Sequence, residues 1–313
     1  MKKGIINIST FFLLMILNGC SITGTSDDLD KYVLASMPSY EGMQKLLAYD
    51  DTIPFVGVNA LVFKEYATGN KYEGLTGLEA YLIYGESGLN TLDDVGGREL
   101  WSGFVHNQIL GDSNPTFDSF GVYAYQSSNN FIEYLTNPNG EEDLEARRAG
   151  LLGQWHIPSS TIAESTDKPG PFSPESLPSM DQIIQLTGLS EEQVLRILES
   201  PENEPVTIIE FLRFSDDTGK VYEPYLEATY RVLKNYGAVQ VWRGKLEFFF
   251  IGNSRPMFHQ MVITTFPSPK EYLLMLIDPE IVSQSSLKDS GLSIHWLFTA
   301  YFFSITDSKT LSP

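Results

Sequence analysis

The chain has 313 residues, 42% of them hydrophobic, and a formal net charge of −19 at pH 7. This composition is typical of globular proteins and excludes a largely disordered chain. The acidic balance argues against nucleic acid as a partner, because such binding depends on Lys and Arg side chains that neutralise phosphates. The length suits two domains of ordinary size.

The first twenty residues have the pattern of a secretion signal. Two lysines precede the apolar run Ile5–Leu17, which is too short to span a bilayer comfortably. The segment Leu17–Cys20 resembles a bacterial lipobox, which has a Leu and a small residue before the cysteine. The resemblance implies that residues 1–19 are a signal peptide and that Cys20 becomes a lipidated N-terminus. The alternatives are an ordinary cleaved signal and an uncleaved anchor.

Cys20 is the only cysteine, so its lipidation leaves no thiol for a disulfide. Acyl chains on this residue would hold the protein on a membrane. Ser21 follows the cysteine, and by the sorting rule for such lipoproteins in Gram-negative bacteria this favours the outer membrane. We predict that residues 20–35 form the lipidated cysteine and its polar tether.

In the first half, residues 36–158, a short helix is predicted before the order strand, helix, strand, strand, helix, strand. These segments are Tyr40–Tyr49, Val56–Tyr66, Leu75–Asp94, Glu99–Leu110, Phe117–Gln126, Asn129–Leu151 and Gly153–Ile157. Residues 159–178 follow, rich in Ser, Pro, Thr and Glu and without apolar periodicity, which is typical of a linker.

The second half, residues 179–306, repeats this order before a short tail, residues 307–313. Two capping boxes, at Ser179 and Ser190, predict two short helices within Met180–Ser200. The strands and helices that follow are predicted at Val206–Phe214, Tyr222–Tyr236, Val239–Ile251, Phe258–Phe266, Ser268–Ile281 and Ser293–Ile305.

The two halves share sequence as well as order. With an offset of 141, nine of the 38 positions in Trp101–Pro138 and Trp242–Pro279 are identical, against about two expected by chance. The first strands align at an offset of 150. The shared residues are mostly Gly, Pro and aromatic types, which set turns and core. The sequence therefore contains two copies of one ferredoxin-like β-α-β-β-α-β unit.

Short motifs connect these units to a known group of proteins. In the second half they are Leu212-Arg213-Phe214, Tyr222-x-x-Tyr225, Tyr236-Gly237, Gly252, Phe266-Pro267-Ser268 and Asp278-Pro279-Glu280, and in the first half Gly96-Gly97-Arg98 and Ile109-Leu110-Gly111. On these motifs the chain resembles a family of unknown function in the dimeric alpha+beta barrel superfamily.

The predicted fold follows from the last strand, Ser293–Ile305, which is apolar on both faces and should therefore be covered on both. Helices cover only one face of a ferredoxin-like sheet, so the other face needs a partner. We predict an α+β protein whose tandem repeats pair sheet to sheet as an intramolecular dimeric alpha+beta barrel. The molecule should then be a monomeric pseudo-dimer.

The superfamily resemblance implies a small molecule bound between the sheets or beneath the helices. Some members are isomerases or monooxygenases, and some hold haem, but the resembled family supplies no catalytic residues. The sequence has no Gly-rich phosphate loop, no nucleophile elbow and no cluster of metal ligands. It therefore predicts neither a metal nor a cofactor.

Candidate ligand-binding residues lie on the first and fourth strands. His156 and His295 occupy similar places in the two fourth strands, so they could flank one ligand or be structural histidines. Tyr301 lies on the same strand as His295. Arg213 lies on the opposite face from Glu210, and it could bind a carboxylate or form a structural ion pair.

Candidate catalytic residues come from the aligned second and third strands. His106 aligns with Glu247, and Asp118 aligns with His259. A His and Glu pair could transfer a proton if burial moved the pKa values towards neutrality. The alternative is that these side chains face water at a strand edge.

One further pair of charges has a simpler interpretation. Arg147 and Arg148 follow four acidic residues on one predicted helix. Side chains four apart on a helix are neighbours, so exposed ion pairs are expected there.

These patterns favour a binding or interaction module on the cell envelope, holding a small apolar ligand. The alternative is an enzyme of the isomerase or cofactor-independent monooxygenase type that uses His and Glu for proton transfer. A third interpretation is a structural envelope component without a pocket.

Overall fold

A computed structural model describes residues 32–113, 116–136, 141–173, 175–254 and 257–303. Repeat 1 follows a strand and a helix, β1 (Tyr32–Pro38) and α1 (Tyr40–Leu47). Its own elements are β2 (Phe55–Phe63), α2 (Gly77–Asp94), β3 (Arg98–Leu110), β4 (Ser119–Tyr125), α3 (Ser128–Leu135), α4 (Glu141–Gly150) and β5 (Leu151–Glu164).

Repeat 2 has the same order after two short helices, α5 (Met180–Thr187) and α6 (Glu191–Leu198). Ser179 and Ser190 begin these helices with the predicted capping boxes. The remaining elements are β6 (Val206–Phe214), α7 (Glu223–Leu233), β7 (Val239–Leu246), β8 (Ile251–Ser254), β9 (Gln260–Phe266), α8 (Pro269–Leu276), α9 (Pro279–Val282), α10 (Ser285–Gly291) and β10 (Leu292–Phe302).

Eight antiparallel strands close into a barrel in the order β5-β2-β4-β3-β10-β6-β9-β7, with β7 returning to β5. Each repeat supplies four neighbouring strands in the ferredoxin-like order. The second strand of each repeat pairs with the fourth strand of the other, β3 with β10 and β7 with β5. The predicted fold class, an intramolecular dimeric alpha+beta barrel, is confirmed. The two sheets join through their edge strands, so these edges are hydrogen-bonded within the chain.

The barrel interior is a packed aromatic core. All four tryptophans lie in it, at Trp101, Trp155, Trp242 and Trp296. Phenylalanines from both repeats fill the space between them, namely Phe117, Phe120, Phe211, Phe258 and Phe298. Since these side chains occupy the shared face of the two sheets, a ligand site must be sought on the helix-covered faces.

Equivalent residues of the two repeats have equivalent roles. Ser127 and Ser268 cap α3 and α8 with the same backbone angles, φ −157° and ψ 171°. Gly244 leaves room for the indole of Trp242, because a Cβ atom on this glycine would lie 2.1 Å from the ring. Gly103 has the same relation to Trp101 in repeat 1. The glycines shared by the two repeats therefore make room for the tryptophan rings of the core.

The first strands correspond at an offset of 151, and the predicted offset of 150 is wrong. Val58 and Ile209 both face the barrel interior, and residues alternate between faces along each strand. At this offset Glu210 corresponds to Asn59 and Arg213 to Val62, whereas an offset of 150 would give Ala60 and Phe63. An alignment error of one residue exchanges the two faces of a strand. It therefore also changes which residue of repeat 1 is compared with Glu210 or with Arg213.

Three element predictions need correction. β5 is longer than Gly153–Ile157 and runs to Glu164, so the start of the predicted linker is a strand paired with β7. The predicted strand Val239–Ile251 ends at Leu246, because Phe248 and Phe250 leave the barrel to pack in the core of repeat 1. The predicted helix Ser268–Ile281 divides into α8 and α9 at Pro279, which lacks the N–H needed to continue it.

Helix Asn129–Leu151 is also divided, into α3 and α4. At the N-terminal side, β1 begins at Tyr32, so the end of the predicted tether is a strand. Cys20, the predicted signal peptide and the predicted tail lie outside the described residues. Within the described part of the chain, every helix is too short or too polar to cross a membrane.

Candidate ligand-binding site

A partly enclosed cavity of about 130 Å³ lies in repeat 1, between the outer face of its sheet and α2, α3 and α4. Apolar side chains of α2, including Leu78, Leu82 and Leu89, form one wall. Tyrosines line much of the remainder, and they are Tyr81, Tyr84, Tyr123, Tyr125 and Tyr134. The cavity is therefore mainly apolar, with hydroxyl groups distributed around it.

Small residues hold α2 and α4 close together beside this cavity. Thr76 begins α2 with a capping box that it shares with Glu79. A Cβ atom on Gly150 would lie only 2.1 Å from the Gly77 carbonyl oxygen, so neither glycine tolerates a side chain. Ala146 and Ala149 pack in the same contact. This close packing places the C-terminal turn of α4 beside the cavity.

The tyrosine hydroxyls of the cavity are buried polar groups. The Tyr84 and Tyr134 hydroxyl oxygens are 3.3 Å apart, which is consistent with a weak hydrogen bond. Burial raises the pKa values of Tyr123, Tyr125 and Tyr134 well above the usual value, and it raises the pKa of Tyr81 too. These hydroxyls can donate and accept hydrogen bonds but do not supply a charge.

His156 forms part of the cavity wall from β5, and only 6% of it is exposed. Its Nδ1 atom lies 2.7 Å from the Asn59 Oδ1 atom, and its ring stacks on Phe131 with centroids 4.9 Å apart. An amide oxygen only accepts, so Nδ1–H donates and the Nε2 atom carries the lone pair. This buried Nε2 atom has no hydrogen-bond partner within the described residues.

Burial, and then the nearby charge of Arg147, lower the pKa of His156 to about 3. The imidazole is therefore neutral at physiological pH. A Cβ atom on Gly57 would lie 3.0 Å from the Nε2 atom, so the glycine leaves space at this edge of the ring. The Nε2 lone pair is an unused acceptor in the wall of an apolar cavity.

Arg147 lines the same cavity from α4, and only 8% of it is exposed. One guanidinium nitrogen donates to the Ser36 carbonyl oxygen at 3.1 Å. Among the residues that the structure describes, no carboxylate forms an ion pair with Arg147. The predicted exposed pairing of this residue is therefore wrong. Leu144, one helical turn earlier, also lines the cavity, and this spacing is the signal that places Arg147 on the inner face.

Repeat 2 completes the wall of the cavity. Phe250 and Ile251, which follow β7, both line it. The Phe250 N–H donates to the His156 carbonyl oxygen at 2.9 Å, and Ile251 pairs with His156 through β8 and β5. A segment of one repeat therefore closes the site of the other.

The corresponding space in repeat 2 is filled by side chains. Tyr222, Tyr225, Leu226, Phe266 and Leu273 are all buried there in one apolar cluster, against which α5 and α6 also pack. Of the two helix-covered faces, repeat 1 therefore provides the better binding site.

Of the two alternatives for His156 and His295, the structure does not support two histidines that flank one ligand. β5 and β10 are four strands apart in the eight-stranded barrel, so they lie on opposite sides. The His295 Nε2 atom is instead 2.8 Å from the Glu210 Oε1 atom. The two histidines are not equivalent either, because the offset of 141 pairs Trp155 with Trp296 and leaves His156 opposite Leu297.

His106 and Glu247 are also not brought together. His106 is exposed and lines an open polar groove with Asp118 and Tyr301. This groove adjoins the cavity, with which it shares Phe63, Leu78 and Phe104. Glu247 follows β7, on the far side of the barrel from β3. It accepts hydrogen bonds from Ser160 at 2.9 Å and Lys245 at 2.8 Å. The geometry does not form the predicted proton-transfer pair.

The aligned residues Asp118 and His259 have one structural role. The Asp118 Oδ2 atom accepts from the Phe63 N–H at 2.7 Å. The His259 Nδ1 atom accepts from the Phe214 N–H at 3.1 Å, at the equivalent strand end. Both side chains therefore satisfy a backbone group at the end of a first strand.

Arg213 is likewise held by neighbours outside the cavity. Its guanidinium donates to the Met257 carbonyl oxygen at 2.6 Å and lies 3.7 Å from the Asp217 carboxylate. No group of three or more His, Cys, Asp or Glu side chains within the described ranges could hold a metal ion.

Neither a protein-family model nor a curated protein matches the sequence. Among solved structures, a protein of unknown function from Rhodopseudomonas palustris is 24% identical, with 39% of this chain and 92% of that chain covered and a TM-score of 0.36. A proposed monooxygenase from Lactobacillus acidophilus is 11% identical, with 80% and 94% covered and a TM-score of 0.44. A variant of chlorite dismutase from Candidatus Nitrospira defluvii is 10% identical, with 85% and 96% covered and a TM-score of 0.42.

Proposed function

We propose that the protein is an envelope-anchored binding module whose repeat-1 cavity holds a small apolar ligand. The observation that carries this proposal is the asymmetry between the repeats. Repeat 1 keeps a cavity of about 130 Å³ where repeat 2 has a filled core. An empty apolar cavity costs stability, so its retention in one copy alone favours a function for it.

Binding is favoured over catalysis by the protonation states within the cavity. General acid or base catalysis works best with a pKa near the operating pH. The pKa of His156 is about 3, and burial raises the pKa values of Tyr125 and Tyr134 well above the usual value. The enzyme alternative assigns proton transfer to His106, Glu247 or the histidines of the fourth strands, and His106 and Glu247 lie on opposite sides of the barrel.

The membrane part of the proposal rests on the sequence before the described residues. Leu17–Cys20 resembles a lipobox, and Ser21 favours the outer membrane. We expect Cys20 to incorporate a labelled palmitate analogue and to hold the protein in the membrane fraction. A Cys20→Ser variant should do neither, and incorporation of label by this variant would overturn the assignment.

Ligand binding is tested by native mass spectrometry of the protein purified from its own envelope. We expect a bound small molecule in the wild type and its loss in Leu82→Trp, since the indole would occupy the cavity that Leu82 lines. The matched control is Ile83→Trp, because Ile83 is the next residue of α2 and is 47% exposed. Equal occupancy in both variants would contradict binding at this cavity.

A further inference from the structure

We infer that the ligand of this cavity is a compact carboxylate whose charge is bound by Arg147. This inference rests on the proposed binding function and adds the chemical class of the ligand. It starts from two polar side chains, Arg147 and His156, that are both more than nine-tenths buried in the same wall. Neither uses its full hydrogen-bonding capacity within the described residues.

No carboxylate among the described residues neutralises the charge of Arg147. A guanidinium is always protonated and offers five N–H donors, of which the Ser36 carbonyl oxygen accepts one. Burying an unpaired charge is costly, and the C-terminal dipole of α4 offsets only a small part of that cost. The tyrosines and His156 around it are neutral, so the missing anion must come with the ligand.

The shape of the guanidinium indicates which anion. Its planar fork matches a carboxylate through two parallel hydrogen bonds, a geometry that a single ammonium charge does not provide. The remaining wall is formed by leucines and tyrosines, which suit an apolar or aromatic body.

The size of the cavity limits the body of the ligand. An apolar cavity of about 150 Å³ accommodates benzene in a well-studied protein. The present cavity, at about 130 Å³, is therefore suited to a single ring or an equally compact chain. A long acyl chain or a fused polycyclic ligand would exceed it.

Calorimetric titration of the full chain with benzoate and with benzamide tests the inference, because these probes share a ring and differ in charge. We expect benzoate to bind at least about tenfold more tightly, the range of a hydrogen bond to a charged group. In Arg147→Met this preference should disappear while benzamide binding stays. Arg231→Met, which removes the same charge from an exposed position outside the cavity, should keep most of the preference.

The outcomes separate this inference from the proposed function. If both probes bind equally in the wild type and both are excluded by Leu82→Trp, the cavity binds ligands and the carboxylate assignment is wrong. The assignment also fails if Arg147→Met and Arg231→Met weaken benzoate binding equally, because the effect is then one of overall charge. If neither probe binds, both the site and its charge selectivity are overturned.

Discussion

The indole rings of Trp155 and Trp296 stack in the barrel core, with centroids 5.7 Å apart and planes inclined by 13°. The two residues are equivalents at the repeat offset of 141. A contact between equivalent residues is expected at a twofold axis, so this pair marks the pseudo-symmetry axis of the two repeats. It joins the repeats through two buried side chains.

Truncation of either tryptophan should destabilise the whole protein. We expect Trp155→Ala and Trp296→Ala each to lower the free energy of unfolding by about 3–5 kcal/mol, because each leaves a large cavity. The double variant should show a coupling of about 0.5–1.5 kcal/mol, typical of aromatic pairs. Urea denaturation of the four proteins measures this coupling, and strict additivity would contradict a direct contribution from the stack.

Replacing Arg147 should not destabilise the free protein. Because no described carboxylate pairs with it, Arg147→Met removes a buried charge and adds apolar volume in its place. We expect the free energy of unfolding either to stay the same or to rise by roughly 1 kcal/mol or more. Arg148→Met is the control and should have little effect. A large loss of stability in Arg147→Met would show that the guanidinium has a structural partner.

His156 should make the protein sensitive to acid. Its pKa is about 3 in the folded protein and 6.5 in the reference state, so the unfolded chain binds the proton more readily in between. Stability therefore falls as the pH decreases from 6.5 towards 3, with a slope of up to about 1.4 kcal/mol per unit. The interval from pH 6.5 to 5 is the most informative, since few carboxylates titrate there.

Denaturation at several pH values should show a smaller slope for His156→Gln, which keeps an amide donor near Asn59. His106→Gln, at an exposed position, should retain the slope of the wild type. The same slope in all three proteins would mean that His156 is protonated in the folded state.

The closed barrel predicts that a cut between the repeats is tolerated. Asp167 and Lys168 are exposed in the connection after β5. A protease site introduced there should give two fragments that separate in denaturing gels and co-elute in size-exclusion chromatography. The pairs β3 with β10 and β5 with β7 hold them together. Separation of the fragments under native conditions would contradict this arrangement.

Much of the fold could be predicted because its signals are local. The capping serines Ser179 and Ser190, the helix-ending Gly237 and the alternation in β6 each act within a few residues. The internal repeat supported these assignments a second time, because each element of the unit occurs in both halves of the sequence. The barrel followed from a strand that is apolar on both faces.

The remaining features depend on contacts that are distant in sequence. Nothing local distinguishes Phe248 and Phe250 in a strand from the same residues packed against repeat 1. The register of the first strands was uncertain by one residue, which is enough to exchange Asn59 and Ala60 as the counterpart of Glu210.

The candidate site was the hardest part to predict from sequence. A cavity is the result of side-chain volumes that do not fill a space, and no residue pattern states it directly. Arg147 appeared in an acidic helix, where an exposed ion pair is the usual outcome. Only the spacing of three residues between Leu144 and Arg147 indicated that Arg147 lies on the inner face of the helix. The acidic residues around it favour the opposite interpretation, an exposed position.

The walls contributed by Phe250 and Ile251 have an evolutionary consequence. An ancestral single unit would have obtained these two residues from a second polypeptide, and any change in them would have altered two pockets at once. Fusion of the units allows each position to be selected separately. One copy can thereby specialise in ligand recognition while the other becomes its scaffold.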